Sequence, residues 1–473
     1  MAVNDILEIG RQGLMANRKA METASNNIAN ANTPGYTRRR AVMEANGQAV
    51  SGNVLVGGGV DVKKVVRLHD PFIQGQILDH SRSLGAARAK ADTVHQVESL
   101  FSGDAYRLGG LVSGFFGAVR ELSVQPEAAA MRDAVVRSAD SLAGGFREMS
   151  GTLERMKIDI DARIENEVGA ANGMMREMAA LNGQISQLSR TGHEVNELLD
   201  QREGLARTLA QKLGFEISGD DQGNLNLTAS GLGILVSGTE ANELQVARTA
   251  ERGQKAAGSL DISLKDAFGL RVVTGAIEQG EIGGLVAARD RVVQTTLGEL
   301  DRIAHSLGTA VNGIHREGTG ADGLGERDLF AVGEDARGAA SRIDVDSGLK
   351  TDASALSLGY GDAPGENAVL LAIAELESPG VAGTGASERN VATGESLSVL
   401  AGRIGVIARD DYGARSHQEA LVQQLENYRE SLSGVSLEEE SVDLLRYQAV
   451  FNASAKAMRV GDELLQTILS IKP

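Results

Sequence analysis

The chain has 473 residues, 42% of them hydrophobic, 3% aromatic and none tryptophan, enough for two to four domains whose cores rest on Leu, Val, Ile, Ala and Met. Lys and Arg number 47 against 64 Asp and Glu, and the net charge of −17 argues against nucleic-acid binding, because phosphate backbones repel so acidic a chain. The absence of cysteine excludes disulfides, thiolate catalysis and Cys-ligated metals, and would suit a chain threaded unfolded through a narrow channel.

The N-terminus is not patterned as a signal peptide, since Asp5 and Glu8 interrupt it. From Val3 to Ile28 the apolar spacing instead alternates three and four, and Leu7, Leu14, Met21 and Ile28 stand seven apart. That spacing predicts an amphipathic helix with a coiled-coil seam. A second face carries Ala16, Ala20, Thr23, Asn27 and Asn30. Asn is a mediocre helix former, because its amide competes for nearby backbone groups. The amides of this Asn-rich run are therefore expected to find partners on a neighbouring chain. Thr33-Pro34-Gly35-Tyr36 should stop the helix, with Pro34 presetting a turn and Gly35 supplying the positive φ of type II.

Arg38-Arg39-Arg40 reads as a solvated strand or turn face. Residues 38–45 and 54–68 read as extended; Val60, Val62, Val66 and Leu68 share one parity, with Lys64 the exception. Gly57-Gly58-Gly59 should bend this ribbon and is no phosphate loop, since no Gly-Lys-Ser/Thr follows. His69-Asp70-Pro71 marks a boundary.

From Phe72 to Leu213 the pattern is helical: one long helix through Leu100, a second after Gly109, a third beyond Pro126, and a long one from Phe146 towards Leu188. Another runs from Asn196 to about Gly214, where Asp200, Arg202 and Glu203 read as a solvated or locally paired face. Phe215 to Leu270 changes to short apolar runs broken by glycines, a small strand-and-turn region. Asp220–Asn224 lacks the ligand spacing of a calcium loop and reads as a hairpin turn. Helix resumes near Gly284 and continues to His315. His305 and His315, ten apart, read as surface polar contacts rather than metal ligands. Residues 332–363 are mixed, a helix covers Asn367–Glu377, and Gly380–Gly394 reads as a flexible stretch.

The last segment is helical from Ser396 to Tyr428, breaks at Ser433–Ser436, and restarts with Ser436 and Glu439 spaced as a capping box. Leu437, Leu444, Phe451, Met458 and Leu465 then form a second heptad seam. The expected fold class is mainly α with β-rich insertions: an elongated, multi-domain chain with a stalk of N- and C-terminal helices, a long-helix body and a smaller β domain. The expected boundaries are 1–71 and 430–473 for the stalk; 72–214, 278–330 and 395–429 for the helical body; and 215–277 and 331–394 for a small outer region.

The run ASNNIANANTPGYTRRR resembles the N-terminal signature of the axial proteins of the bacterial flagellum: rod, hook and hook-associated proteins. The C-terminal VSLEEESVDLLRYQAVFNASAKAMRVGDELLQTIL looks like the same family. NELLDQREGLARTLAQKLGFEISGDDQGNLNL, and the segment from Gly280 to Phe330, resemble the hook-associated protein 1 branch. The length is modest for that branch, which implies a reduced outer domain. The resemblance implies a structural role between hook and filament, in an extracellular flagellum, after uncleaved export of the unfolded chain by the type III apparatus. It implies as partners further copies of the chain in a ring or layer, hook protein, hook-associated protein 3, and an export chaperone at the C-terminal helix. It gives Leu7, Leu14, Met21, Ile28, Leu444, Phe451, Met458 and Leu465 the coiled-coil role, and places Asn27, Asn30, Pro34, Gly35 and Tyr36 on the assembly motif. A hook or rod subunit is the alternative within the family, and a secreted helical binding module or effector the alternative outside it. No nucleophile elbow, HExxH, Walker loop or dinucleotide fingerprint is present, so no enzyme, cofactor or metal is expected.

Overall fold

A computed structural model describes residues 2–46, 49–51, 54–56, 58–220, 223–248, 260–361, 365–377 and 393–471. The chain opens with helix α1 (Ala2–Ala29), followed by an antiparallel ribbon of β1 (Arg39–Ala45) and β4 (Val60–Arg67), with the small hairpin β2 (Ala49–Ser51) and β3 (Val54–Val56) between them. The register of the ribbon shifts between Val42, opposite Lys64, and Met43, opposite Val62. This bulge at Lys63 explains the broken parity read from the sequence, and brings Val65 rather than Val66 to the buried side.

Asp70 ends the ribbon and caps helix α2 (Pro71–Val124), accepting hydrogen bonds from the amides of Phe72 and Ile73. Helix α3 (Ala129–Arg190) follows. At 54 and 62 residues these helices are about 81 and 93 Å long, at 1.5 Å per residue. Each replaces two shorter helices expected from the sequence. The Gly109-Gly110 and Gly144-Gly145 pairs do not interrupt them, because Leu108, Val112, Phe115, Phe116, Val119, Leu122, Leu142, Phe146 and Met149 are buried on both sides of the glycines. A Cβ on Gly145 would lie 2.7 Å from Leu111 Cδ1 and 3.0 Å from Leu108 Cδ1, so the absent side chain lets α2 and α3 meet.

Helix α4 (Asn196–Lys212) leads into two small antiparallel sheets. The first has the order β5-β6-β7-β8 (Glu216–Gly219, Leu225–Ala229, Gly233–Ser237, Glu240–Ala241). The second has β10 (Leu260–Asp266) between β9 (Glu243–Arg248) and β11 (Gly269–Val272). The Asp220–Asn224 stretch is a hairpin turn with Gly223 at φ +80° and the Asn224 amide donating to Asp220 Oδ1 at 2.8 Å; residues 221 and 222 lie outside the described set. Two asparagines of α3 fasten the sheets: Asn172 exchanges two hydrogen bonds with the backbone of Leu244, and Asn182 donates to the carbonyls of Leu225 and Gly238. Leu227, Leu235, Ile262 and Leu264 share one buried cluster with Met175 and Met178 of α3.

Helix α5 (Gly280–Ala287) passes through a π turn (Ala288–Val293) into α6 (Gln294–His315). The pairs β12/β15 (Thr319–Gly320, Ser357–Gly359) and β13/β14 (Phe330–Ala331, Asp344–Val345), with α7 (Ala339–Arg342), α8 (Ser347–Thr351) and α9 (Ala368–Glu375), pack against α3 and α6. The flexible stretch expected at Gly380–Gly394 lies outside the described residues up to residue 392, and Thr393 and Gly394 already open α10 (Thr393–Ser433). Helix α10 lies antiparallel to α2 through Lys90–Asp411 (2.7 Å), Arg415–Asp92 (2.8 Å) and Arg88–Glu419 (2.7 Å). Helix α11 (Leu437–Ile471) then returns to α1. Among the described residues no helix is long and apolar enough to cross a membrane.

His315 departs from its expected surface position. It is wholly buried, Nε2 accepts from the Ser357 amide at 3.0 Å, and Nδ1 lies 2.7 Å from the Arg327 carbonyl. Those partners put the proton on Nδ1 of a neutral ring. Burial holds its pKa below the ordinary value despite the Arg327 carbonyl. His305, by contrast, is half-buried and meets the Glu334 carbonyl. In the unfolded chain His315 should titrate near pH ~6.5. Below that pH the unfolded state binds the extra proton first, so this contribution to stability is full above pH ~6.5 and drains as pH falls towards the depressed folded value. The unfolding midpoint should therefore drop between pH 7.5 and 5 with a slope that His315→Gln reduces. An identical slope in the variant would contradict a buried neutral imidazole.

Candidate functional site at the joint of the terminal helices

Helices α1 and α11 form an antiparallel pair. Leu7 lies against Gly461, Gly10 against Met458, Gly13 against Ser454, and Asn27 against Glu440. A Cβ on Gly10 would stand 2.6 Å from Met458 Cγ, and one on Gly461 2.9 Å from Leu7 Cδ2, so these glycines set the closeness of the helices. The deepest positions of α1 are Gly10, Gly13, Ala16, Asn17, Ala20, Thr23, Ala24 and Asn27, the small and polar face. The heptad residues Leu7, Leu14, Met21 and Ile28, with Leu444, Phe451, Met458 and Leu465, are half-buried and flank that contact. Ile6, Ile9 and Met15 of α1 and Val442, Leu445, Val450, Val460 and Leu464 of α11 face outward, exposed.

The helix ends at Ala29, four residues before the TPGY turn: the Asn30 backbone amide is shared between the carbonyls of Asn26 and Asn27, while the Asn30 side chain competes for the Asn26 carbonyl. Thr33–Tyr36 is a type II turn, with Gly35 at φ +82° and the Tyr36 amide donating to the Thr33 carbonyl at 3.2 Å. Pro34 is exposed, and Gly35 has open space around it. Asn30 donates to the Asn26 carbonyl at 2.9 Å and accepts from Thr33 Oγ1 at 3.2 Å.

Asn27 corrects the expectation of partners on a neighbouring chain. Its Nδ2 donates to the Arg39 carbonyl (2.8 Å) and to Glu440 Oε2 (3.0 Å), and its Oδ1 accepts from the Arg39 amide (3.0 Å) and the Tyr36 hydroxyl (2.8 Å). One buried amide thus joins the end of α1, the turn, the start of β1 and the start of α11. Burial raises the Tyr36 pKa, and Asp200 and Glu440 add to the effect against the opposing charge of Arg39, whose guanidinium sits 5.0 Å above the ring.

Of the arginine run only Arg40 faces solvent; Arg38 and Arg39 do not. Arg38 donates to Glu440 and to Glu439, each at 2.6 Å. Burial works against the Arg38 charge, but these two bonds outweigh it and hold its pKa above the ordinary value. The capping box is accordingly half formed: Ser436 Oγ accepts from the Glu439 amide, while the Glu439 carboxylate turns to Arg38. Arg39 pairs with Asp200 at 3.4 Å; Arg67 pairs with Asp200 at 2.7 Å and with Glu203. Asn196 donates to the Val65 carbonyl at 2.9 Å. Arg202, also expected at the surface, is buried and donates to Asn182 Oδ1 and to the Gly223 carbonyl. Burial, with Arg67 nearby, lowers its pKa to about 10. The face of α4 read as solvated or locally paired is paired, but over long range: it is the dock of the ribbon. Glu440, Arg67 and Asn196, its other parts, were not singled out in the sequence; the only signal for Glu440 was its place in the acidic first turn of the final helix. Among the described residues no cluster of three or more His, Asp or Glu is placed to hold a metal.

Three family models match: the flagellar hook-associated protein FlgK helical domain over residues 94–330, the flagella basal body rod protein over 7–37, and the flagellar basal body rod FlgEFG protein C-terminal over 429–471. The flagellar hook-associated protein 1 of Bacillus subtilis is 27% identical, covering 98% of this chain and 97% of its own length. Its Salmonella typhimurium counterpart is 28% identical over 70% of this chain and 60% of its own length, and that of Escherichia coli 28% identical over 75% and 65%. The chain therefore spans less than two thirds of these two relatives. The solved flagellar hook junction protein FlgK of Burkholderia pseudomallei superposes over 76% of this chain and all of that one, with a TM-score of 0.66; at 14% identity this likeness speaks to the fold. With the helical-domain model spanning half its length and the two rod-type models matching its terminal helices, the chain belongs to the flagellar hook-associated protein 1 family.

Proposed function

We propose that the chain is a structural subunit of the joint between flagellar hook and filament, exported unfolded and assembled through α1 and α11. In this reading residues 1–71 and 430–473 act as the stalk, and copies form a ring or layer between hook protein and hook-associated protein 3. The observation that carries it is the two-sided apolar character of the terminal hairpin. One side closes the α1–α11 contact, and the outward side, from Ile6 and Ile9 to Val460 and Leu464, is left to face neighbours. The same residues of α11 are available to an export chaperone before assembly.

Immunogold labelling of isolated flagella tests the reading. A band at the hook–filament boundary is expected, whereas label along the hook would favour a hook subunit and label confined to the medium a secreted effector. Deleting Leu444–Leu469 should abolish both the band and chaperone capture; retained capture would move the chaperone site off α11.

A further inference from the structure

The joint end of the terminal hairpin mixes arginines with the acidic first turn of α11, and two of its guanidinium groups are left over. At the joint, a cleft of about 280 Å³ between β1 and α11 is lined by Arg38, Arg39, Arg40 and Arg446 against two carboxylates, Glu440 and Asp443. Arg38 and Arg39 are engaged in the contacts described above. Arg40 and Arg446 are exposed and flank Tyr447, with no hydrogen bond or ion pair of their own among the described residues. At the far end of the hairpin, Asp5, Glu8, Asp462 and Glu463 outnumber Arg11 and Arg459. The α1–α11 register puts Asp5 beside Asp462 and Glu463, because Leu7 already faces Gly461. Arg446 and Glu463 lie about 25 Å apart along one helix, at 1.5 Å per residue. At the far end Glu8 is taken by Arg11, which leaves Asp5, Asp462 and Glu463 against Arg459, so the two guanidinium groups left over at one end find a local acidic excess at the other.

We propose that the Arg40/Arg446 cleft of one copy receives the acidic far end of the hairpin of the next copy, Asp462 and Glu463 foremost. The inference rests on the assembly role proposed above and adds the contact and its polarity. The pairing is heterologous, one surface meeting a different one, as a ring or stacked layer requires.

The absence of cysteine makes the test direct. Ala449→Cys and Gln466→Cys, one turn beyond Arg446 and Glu463, leave every charge in place. Their separation of about 25 Å within one helix cannot be bridged by a short thiol-to-thiol linker. With this double variant as the only copy in flagellated cells, linking isolated hook–filament joints should give a ladder of dimers and higher multimers, absent from each single variant. Incorporated chains that stay monomeric, or that link equally in a single variant, overturn the proposal. Independently, Arg40→Glu with Arg446→Glu should reduce incorporation about tenfold without changing the melting of the soluble monomer, and adding Asp462→Arg with Glu463→Arg should restore it. Normal incorporation of the first pair, or no restoration by the second, overturns the head-to-tail contact. Absence of the unmodified chain from the hook tip would instead defeat the junction reading itself.

Discussion

Arg289→Met is expected to destabilise the helical body by about 3–5 kcal/mol, because it removes one partner of a fully buried ion pair. Arg289 is 1% exposed, and its Nη1 donates to Asp161 Oδ1 on α3 at 2.7 Å and to the Leu260 carbonyl of β10 at 2.9 Å. The guanidinium also pairs with Asp290 at 2.8 Å. Burial opposes its charge, but the bonds to Asp290 and Asp161 outweigh that and keep the pKa above the ordinary value. Without Arg289, the Asp161 carboxylate stays buried with no counter-ion and the β10 carbonyl loses a donor. Adding Asp161→Leu should recover most of the loss, since an apolar pair of similar volume often does as well as a buried ion pair. Denaturant titration of the two variants beside the parent measures both steps. A loss below about 1 kcal/mol for Arg289→Met would show that water reaches the pair.

That pair was not legible in the sequence, for a specific physical reason. A regular helix from Gly280 to His315 would be read by its apolar period, and Leu285, Val292, Leu297, Leu300 and Ile303 supply one. Arg289 lies four residues after Leu285 and three before Val292, on that apolar face, and is buried with Ala288 just as Thr296 with Leu297 and Ile303 with Ala304 are buried further along. The period thus puts Arg289 inward, but a lone charge on an apolar stripe reads as an interruption of it, and nothing local shows the partner that burial requires, since Asp161 stands 128 residues away on α3. The long helices failed differently: paired glycines normally argue for a break, and only the burial on both sides, set by distant chain, overrode them. What was legible was local or strictly repeated. The helices at both ends, the TPGY turn, the boundary at His69-Asp70-Pro71 and the break at Ser433–Ser436 all depend on residues within one or two turns of each other. The joint itself depends on contacts between Asn27 and Glu440, and between Arg67 and Asp200, hundreds or scores of residues apart. From sequence, therefore, its arginines and acids looked like two unrelated charged surfaces.

The asparagines of the signature give the second large effect, and they should split. Asn27→Ala is expected to cost about 2–4 kcal/mol of the terminal hairpin, because it strands the amide and carbonyl of Arg39 and leaves Glu440 Oε2 without its amide donor, all inside a covered joint. Asn30→Ala, whose amide meets only its own helix end and Thr33 in bonds open to solvent, should stay within about 0.5 kcal/mol. Asn27→Asp should be at least as damaging as the alanine at neutral pH, since a carboxylate would face the buried carboxylate of Glu440, and it should improve as acid neutralises one of them. Amide exchange of α1 and α11 in the soluble chain reads these differences residue by residue: protection from Thr23 to Ala29, and in the first turns of α11, should fall in the Asn27 variants and hold in the Asn30 variant. Equal behaviour of the two alanine variants would mean that the motif acts through a neighbouring chain. A selective loss at Asn27, already present in the monomer, would mean that the signature first shapes the subunit’s own joint, and that assembly inherits the geometry this one amide imposes on β1 and α11.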